Sequence, residues 1–389
     1  VTQAAGQDLE LSIVMPCLDE AKTVGVCVGK ARRFLEEHGI SGEVLVADNG
    51  STDGSAELAA GLGARVIHVP RRGYGAALAA GIDAARGRFV LMGDSDDSYD
   101  YTDLRPFLHE LRQGADVVMG NRFRGGIAPG AMKALHRWFG NPALTLVARL
   151  LFRVPCGDVY CGQRAFRKSA VQGLNLEARG MEFALEMLIK ATLSGLKVTE
   201  VPVTLQPDGR GRPSHLRTFR DGWRSLRLYL QYSPRWLYLY PGLLLVAVGL
   251  AAGAWLSGGP RAVGPLTLDL GALLACAGAV VLGAQAIAFG LFGRLQAIAA
   301  GLHPPDRRVL DRLEGFELEP CVAVGAALVA VGLGAGAWIG ATRALSEPDG
   351  LRVAILATAG TLLGGQLTLS GFYMGLLQRQ LRRGRADAA

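Results

Sequence analysis

Four long apolar stretches in the last third of the chain limit what it can fold into: Leu237 to Leu256, about Leu266 to Phe292, Cys321 to Ile339, and about Val353 to Leu377. Each is long enough, as a helix, to cross a hydrocarbon core of about 30 Å. A segment in lipid must satisfy its backbone N–H and C=O groups internally, so these stretches are expected to be helices. Asp269 lies near one end of its stretch, and the central turns carry no Lys, Arg or Glu. That argues for an anchor rather than an ion or proton pathway.

The first 213 residues read differently. Short β-type runs alternate with helical patterns: strands at 11–15, 43–47, 65–69, 88–92 and 116–119, helices at 24–37, 54–62, 74–85 and 104–112. Strands that alternate with helices imply right-handed crossovers and a mostly parallel sheet covered on both faces. The chain of 389 residues is thus expected to divide into an α/β unit over 1–213, a short element over 214–236, and an all-α membrane unit over 237–389.

Ligands of such sheets bind beyond the carboxyl ends of the strands. Acids collect at those ends. Asp19 and Glu20 follow the first strand, Asp48 and Asp53 the second, and Asp94, Asp96 and Asp97 the fourth. Carboxylates brought together repel one another and need a cation or a donor-rich ligand. An Asp-x-Asp pair offers hard oxygens suited to Mg²⁺ or Mn²⁺, with positions left for water and phosphate. Taken singly, Asp53 and Asp103 read as ordinary turn residues.

The net charge is +7, yet no nucleic-acid motif is present and much of the arginine lies near the apolar stretches. An anionic membrane surface or a phosphate-bearing substrate is the better partner, and nucleic acid is not expected. The six cysteines form no CxxC pair and no zinc spacing. They read as reduced structural residues of a cytosolic face. The polar N-terminus carries no signal-peptide pattern.

The ordered set Ser12-Ile-Val-Met-Pro16 with Asp19-Glu20, Val46-Ala-Asp-Asn-Gly-Ser-Thr-Asp53, Arg72-Gly-Tyr-Gly-Ala76 and Met92-Gly-Asp-Ser-Asp-Asp97 resembles the inverting GT-A glycosyltransferases of family 2. Gly120-Asn-Arg-Phe123, Gly162-Gln-Arg-Ala-Phe166, Met181-Glu-Phe183 and Glu200-Val-Pro-Val203 resemble its polyprenyl-phosphate branch, the dolichyl-phosphate glucose and mannose synthases. The resemblance covers about residues 10 to 235. It implies that Asp48 contacts the nucleobase and that Pro16, Leu18 and Glu20 line the nucleoside pocket. It implies that Gly73 and Gly75 let backbone approach the donor beside Ser95, and that Asp94 and Asp96 hold the metal. Tyr74 stands where many relatives carry Lys, and Ser98 where some mannose synthases place Gln.

A lipid phosphate needs fixed cations. Arg122, Arg137, Asn141 and Arg164 lie between the last predicted sheet strand and the apolar stretches. The resemblance implies that Arg122 and the Arg137-x-x-x-Asn141 pattern hold the acceptor phosphate, whereas Arg124 and Lys133 read as solvated surface. Such an acceptor is already an anion and requires no strong general base; were one used, Asp97 or Asp158 could serve. In-line attack would invert the anomeric carbon, with positioning and metal stabilisation of the leaving diphosphate carrying catalysis.

Within 214–232, Leu216, Phe219, Trp223, Leu226 and Leu230 recur at helical spacing, flanked by Arg217, Arg220, Arg224 and Arg227. The segment reads as an interfacial amphipathic helix, with a helix packed on the α/β unit as the alternative. The resemblance places a basic loop, here Gly209-Arg-Gly-Arg-Pro213, over the site. Gln231-Tyr-Ser-Pro-Arg-Trp236 resembles the Gln-x-x-Arg-Trp signature of processive polysaccharide synthases but has one residue too many. Arg235 and Trp236 read as interfacial anchors.

Arg294, Arg307, Arg308 and Arg312 lie between the second and third stretches, and Arg379, Arg382, Arg383 and Arg385 follow the fourth. The other loops hold Arg261, and Arg343 with Arg352. The positive-inside rule then puts both termini and the α/β unit in the cytoplasm of a multi-pass cell-membrane protein. Gly332, Gly336 and Gly340, Gly360 with Gly364, and Gly371 with Gly375 allow close helix contact within or between subunits, so a homo-oligomer is an option.

The leading reading is a metal-dependent transfer of a hexose from a nucleotide sugar, UDP-glucose before GDP-mannose, to polyprenyl phosphate. A lipid hydroxyl acceptor is the alternative. A lipid flippase or transporter with a regulatory α/β unit is the reading from another class.

Overall fold

The computed structural model describes residues 9–211, 218–304, 311, 313, 315–342, 345 and 347–386. The chain forms two compact units, Val1–Tyr229 and Leu230–Ala389. The expected loop end Arg212 and Pro213, the helix-start residues Leu216 and Arg217, and the loop arginines Arg307, Arg308, Arg312 and Arg343 lie outside the described residues.

The first unit begins β1 (Leu11–Cys17), α1 (Val24–Glu37), β2 (Gly42–Asp48), α2 (Ser55–Gly61), β3 (Arg65–His68), α3 (Tyr74–Ala84), β4 (Phe89–Met92), α4 (Arg105–Arg112) and β5 (Val117–Asn121). These are the nine elements read from the sequence, with ends shifted by one or two residues. β1 is buried along its whole length because helices cover both faces of the sheet. α1 buries Val24, Cys27, Val28, Ala31, Phe34 and Leu35, one stripe of an amphipathic helix.

The second half of the unit holds α5 (Arg122–Gly125), a π-helical turn at His136–Gly140, α6 (Asn141–Phe152), β6 (Arg164–Arg167), α7 (Lys168–Gln172), α8 (Phe183–Leu193), β7 (Val198–Pro202) and α9 (Thr218–Gln231). The sheet order is β3-β2-β1-β4-β6-β5-β7. β6 runs antiparallel to both its neighbours; the other pairings are parallel. Periodicity does not announce β6, since four residues with arginine at each end read as surface. Its place between β4 and β5 buries Arg164, Ala165 and Phe166 all the same. The chain leaves β1 toward β2 and β3, then returns to the other side of β1 with β4. The crevice between the ends of β1 and β4 is therefore the switch point.

α9 packs through Ser225 and Tyr229, with the Tyr229 and Tyr160 hydroxyls 3.4 Å apart and the Phe152 ring 5.9 Å from that of Tyr229. Phe219 (86 % exposed) and Trp223 (61 %) stay in the open. The packed face is thus offset from the stripe expected from sequence: the helix is seated on its own unit and still presents aromatic surface.

The second unit starts with a π-helical turn at Arg235–Leu239 that leads into α10 (Tyr240–Ser257). It continues with the hairpin β8 (Arg261–Val263) and β9 (Leu266–Leu268), then α11 (Leu270–Ala299), α12 (Leu318–Thr342) and α13 (Pro348–Ala386). Among the described residues, four helices are long and apolar enough to cross a membrane. The second was expected from Leu266; instead β9 takes 266–268, and the helix begins after Asp269. The Asp269 carboxylate meets Arg352, which also reaches Asp349 at 3.0 Å.

Glycine sets how closely these helices approach. A methyl on Gly283 of α11 would lie 2.7 Å from the Gly242 carbonyl of α10, and one on Gly364 of α13 would lie 2.5 Å from the Gly325 carbonyl of α12. A methyl on Gly332 would meet Thr361 and Ala357 of α13, whereas one on Gly336, Gly340, Gly360 or Gly375 would meet no other element within 4 Å among the described residues. The expected glycine faces are thus only partly used within the chain. Gly283→Leu should destabilise the α10–α11 pair by roughly 1–3 kcal/mol, the usual cost of overpacking, when unfolding is followed in detergent. An unchanged unfolding curve would show that the two backbones need not approach.

Candidate active site

Loop ends from β1, β2 and β4 meet at the switch point. Cys17 pairs with Asp48 in register, and Val14 with Met92, so the residues after each strand emerge side by side. Hydrogen bonds tie the three loops together. Ser95 Oγ donates to the Pro16 carbonyl (2.7 Å), Ala21 N to Asp53 (2.9 Å), Glu20 N to Ser55 Oγ (2.8 Å), and Thr52 N to Asp19 (2.8 Å). Leu18 sits half-buried just beyond β1. Asp19 and Asp97 of this rim adopt left-handed backbone (φ 56° and 62°), as Arg153 and Asn175 do elsewhere, a conformation uncommon for residues other than glycine. The rim borders a cleft lined by Asp19, Glu20, Ala21, Lys22, Asp53, Arg210 and Gly211.

Asp48 accepts hydrogen bonds from Gly50 N (3.2 Å) and Ser51 N (3.1 Å) and lies 3.3 Å from His68 Nδ1. Burial pushes its carboxyl up, but these hydrogen bonds outweigh that and hold it below the usual carboxylate range. It stays ionised as an acceptor at the floor of the rim. Asn49, which carried no assigned role, donates to the carbonyls of Val69 and Arg71 and accepts from Gly73 N (2.7 Å), pinning the loop before α3.

The Asp94–Asp96 pair lies just past β4. Asp96 Oδ1 accepts from Ser98 N (3.0 Å) and Ser98 Oγ (2.6 Å), and Oδ2 meets Arg210. Asp94 accepts from the Tyr74 hydroxyl at 2.9 Å. Burial and the adjacent Asp94 charge push the Tyr74 phenol well up, so it remains a proton donor. Burial, and then the Asp96 charge, push the Asp94 carboxyl up to about 6 against the opposing pull of Tyr74, Arg210 and Arg122. Among the described residues no group of three His, Cys, Asp or Glu side chains is arranged to hold a metal. Two carboxylates fit a Mg²⁺-type ion that completes its shell with water and substrate phosphate.

Gly73 and Gly75 do admit close backbone, but from within the chain. Gly75 N donates to the Arg179 carbonyl (2.9 Å), and a methyl on Gly75 would lie 2.6 Å from the Ala178 carbonyl. Gly73, at φ 136°, faces Arg179 in the same way. Glu186 holds that 177–179 segment by accepting from Glu177 N (3.0 Å) and Ala178 N (2.8 Å).

The remaining proposed residues divide between framework and open surface. Arg122 and Asp158 form a buried bidentate pair (2.7 and 2.8 Å), and Arg122 N also donates to Asp158 (3.1 Å). Asp158 is fully enclosed, unlike a base that must reach an acceptor proton. The Asp97 carboxylate is 2.8 Å from Lys30. Arg164, fully buried on β6, donates to the carbonyls of Cys161 and Ala184, so it braces the fold and offers no open fork to a phosphate. Arg137 is different: it lies over the Trp138 ring at 5.1 Å, and among the described residues no carboxylate pairs with it. Asn141 makes a weak contact to Met132 Sδ at 3.5 Å, and the neighbouring His136 ring is 3.0 Å from Thr218 Oγ1. All six cysteines are free, and burial pushes the Cys17 thiol up to about 11 and those of Cys27, Cys156 and Cys161 up to about 12, which keeps these four protonated at neutral pH.

An α/β sheet with acids gathered at its switch point, in a chain that also carries four membrane-length apolar helices, has the make-up of a membrane-bound glycosyltransferase of GT-A architecture. The chain belongs to glycosyltransferase family 2: "Glycosyl transferase family 2" matches residues 12–174, and "Glycosyltransferase family 2 C-terminal transmembrane region" matches residues 291–378. It is 34 % identical, over 94 % of its own length and 89 % of the other, to the low-salt glycan biosynthesis hexosyltransferase Agl6 of Haloferax volcanii. A dolichyl-phosphate hexose transferase of the same organism is 32 % identical over 50 % of this chain and 82 % of that one. A dodecaprenyl-phosphate galacturonate synthase of Rhizobium johnstonii is 28 % identical over 64 % of this chain and 74 % of that one.

Two measurements test this geometry. Asp158→Ala should cost about 3–5 kcal/mol of stability, because it strands the buried Arg122 charge, and adding Arg122→Met should recover part of the loss. Loss of turnover at unchanged stability would return Asp158 to the role of base. The second measurement uses pH. The folded Asp94 pKa is raised, so its contribution to stability is fully present at low pH and is lost as pH rises through about 6. In metal-free buffer the melting temperature of Asp94→Asn relative to wild type should therefore climb across that window. A difference independent of pH would contradict the burial of this charge.

Proposed function

We propose that this enzyme moves a hexosyl group from a nucleotide diphosphate sugar, UDP-glucose first and GDP-mannose second, to a polyprenyl phosphate, with inversion at the anomeric carbon. The observation that carries this reading is the state of the carboxylates. Asp97 and Asp158, the two candidates for a general base, are held in ion pairs with Lys30 and Arg122. A lipid hydroxyl would need a base; a phosphate arrives as an anion. The names of two relatives, which refer to dolichyl phosphate and dodecaprenyl phosphate, point the same way.

Pro16, Leu18, Glu20 and Asp48 form the nucleoside side, with Asp48 ionised to accept a hydrogen bond from the base. Asp94 and Asp96 would hold Mg²⁺ or Mn²⁺, which when bound neutralises the departing diphosphate. Tyr74 orients Asp94, and Ser98 orients Asp96. Arg137, with Asn141 one turn on, receives the acceptor phosphate. Leu135, Trp138 and Phe139, together with Leu146 and Leu150 of α6, expose large apolar side chains around it, as Phe219 and Trp223 do on α9. Such surface on a soluble unit suits a bilayer interface, where a lipid-linked phosphate would be met.

The protein is a membrane protein, and we assign it four crossings with both termini and the α/β unit in the cytoplasm, on the arginine asymmetry of its loops. The glycines left open on α12 and α13 would suit contact with a second copy. The domain division we adopt is 1–213, 214–236 and 237–389. The spans, lacking central charge, serve as an anchor; transport by them is the weaker reading.

Steady-state kinetics with each substrate varied in turn tests the acceptor assignment. Loss of one charge-assisted contact costs roughly 1.5–3 kcal/mol. Arg137→Ala should therefore raise the KM for polyprenyl phosphate about ten-fold or more and barely change that for the nucleotide sugar. A defect confined to the donor would overturn the assignment.

A further inference from the structure

Arg210 is the residue at the rim whose place the function does not yet explain. Its guanidinium sits between two carboxylates from different loops, meeting Asp96 through Nη2 and lying 3.1 Å from Glu20 Oε1 through Nε. Its side chain is 15 % exposed. The backbone beneath it is strapped to the Asp-x-Asp segment: Gly209 N donates to the Asp96 carbonyl (2.9 Å) and Gln206 N to the Ser98 carbonyl (2.9 Å). The strap holds Arg210 at the rim whichever anion its side chain chooses.

Burial opposes the Arg210 charge, while Asp96, Glu20, Asp94 and Asp208 sustain it. Its contact with Glu20 is also half made: Nε is within ion-pair distance, yet it is buried and not aligned to donate a hydrogen bond. Asp96 Oδ1 is already engaged by Ser98, so Oδ2 is the oxygen left for any ion, and Arg210 holds it. A divalent cation on that oxygen and a guanidinium in contact with it would repel each other strongly at short range. The two cannot share Oδ2. A nucleotide diphosphate in the adjoining cleft would offer the displaced guanidinium a planar, bidentate anion, the partner for which Arg is best suited.

We propose that Arg210 is a resident counter-cation of the Glu20–Asp96 pair, which exchanges its carboxylate contact for the donor diphosphate when a divalent ion takes Asp94 and Asp96. This rests on the metal and donor assignment made above. The exchange couples the two ligands. Metal alone must draw Arg210 off Asp96 and leave it with Glu20 alone, and diphosphate alone meets carboxylates with no metal between. Together each relieves the cost of the other, so binding is mutually reinforcing. Arg210 acts here as a positioning residue through its choice of anion.

The test is equilibrium binding of Mn²⁺ to the full-length detergent-solubilised protein, read by the electron paramagnetic resonance of free Mn²⁺, with and without UDP. In the wild type, UDP should tighten Mn²⁺ binding markedly. Arg210→Gln should tighten Mn²⁺ binding without UDP by about ten-fold, the factor for one charge-assisted contact, and should remove most of the UDP effect. Arg210→Lys keeps the charge but lacks the fork, and should fall between the two while preserving the fold. Mn²⁺ affinity without UDP that is unchanged or weaker in both variants overturns the proposal. The underlying metal assignment fails separately: it falls if the wild type binds no Mn²⁺ with UDP, or if Asp94→Asn binds it equally well.

Discussion

Like charges at one end of a sheet are the constraint around which the first unit is arranged. Glu20, Asp48, Asp53, Asp94, Asp96 and Asp97 all follow strands that end side by side. Left alone they would repel one another and destabilise the loops that carry them. Each is met in its own way. Backbone N–H groups receive Asp48 and Asp53, Lys30 receives Asp97, and Tyr74 receives Asp94. Among the described residues, Arg210 on its strap meets the Glu20–Asp96 end.

A second electrostatic element serves the frame. The Arg122–Asp158 pair joins the end of β5 to the chain ahead of β6 in full burial. Its worth lies less in net stability than in the penalty for parting it. Arg164 plays a similar part by donating to carbonyls inside the sheet. Arginines that look like phosphate ligands in sequence are thus of two kinds. Arg122 and Arg164 are spent on the fold, whereas Arg137 stands over Trp138 amid exposed apolar side chains. The second unit relies on shape instead: Gly283 against Gly242, and Gly364 against Gly325, bring helix backbones together where lipid gives no hydrophobic drive to associate.

Much was legible in the order of residues because it depends on local periodicity. β1 to β5 show as apolar runs, α1 to α4 as amphipathic repeats, and the four apolar helices as uninterrupted length. The gathering of acids was legible too, since parallel crossovers place every strand end on one edge. What depends on distant partners was not. β6 exists because β4 and β5 leave a slot between them. Gly73 and Gly75 are small because the 178–179 backbone lies on them, a contact across more than a hundred residues. Tyr74 reads as the loss of a lysine, yet its hydroxyl reaches Asp94. Asp97, Asp158, Arg122 and Arg164 carry the right chemistry for catalysis, and packing alone decides which of them is already paired. Sequence determined the two solvents, the strand-and-helix order and the acidic edge, because each follows from neighbours along the chain. Tertiary structure decided which charges remain free to meet a substrate, because pairing is settled by whatever the fold brings within three ångströms.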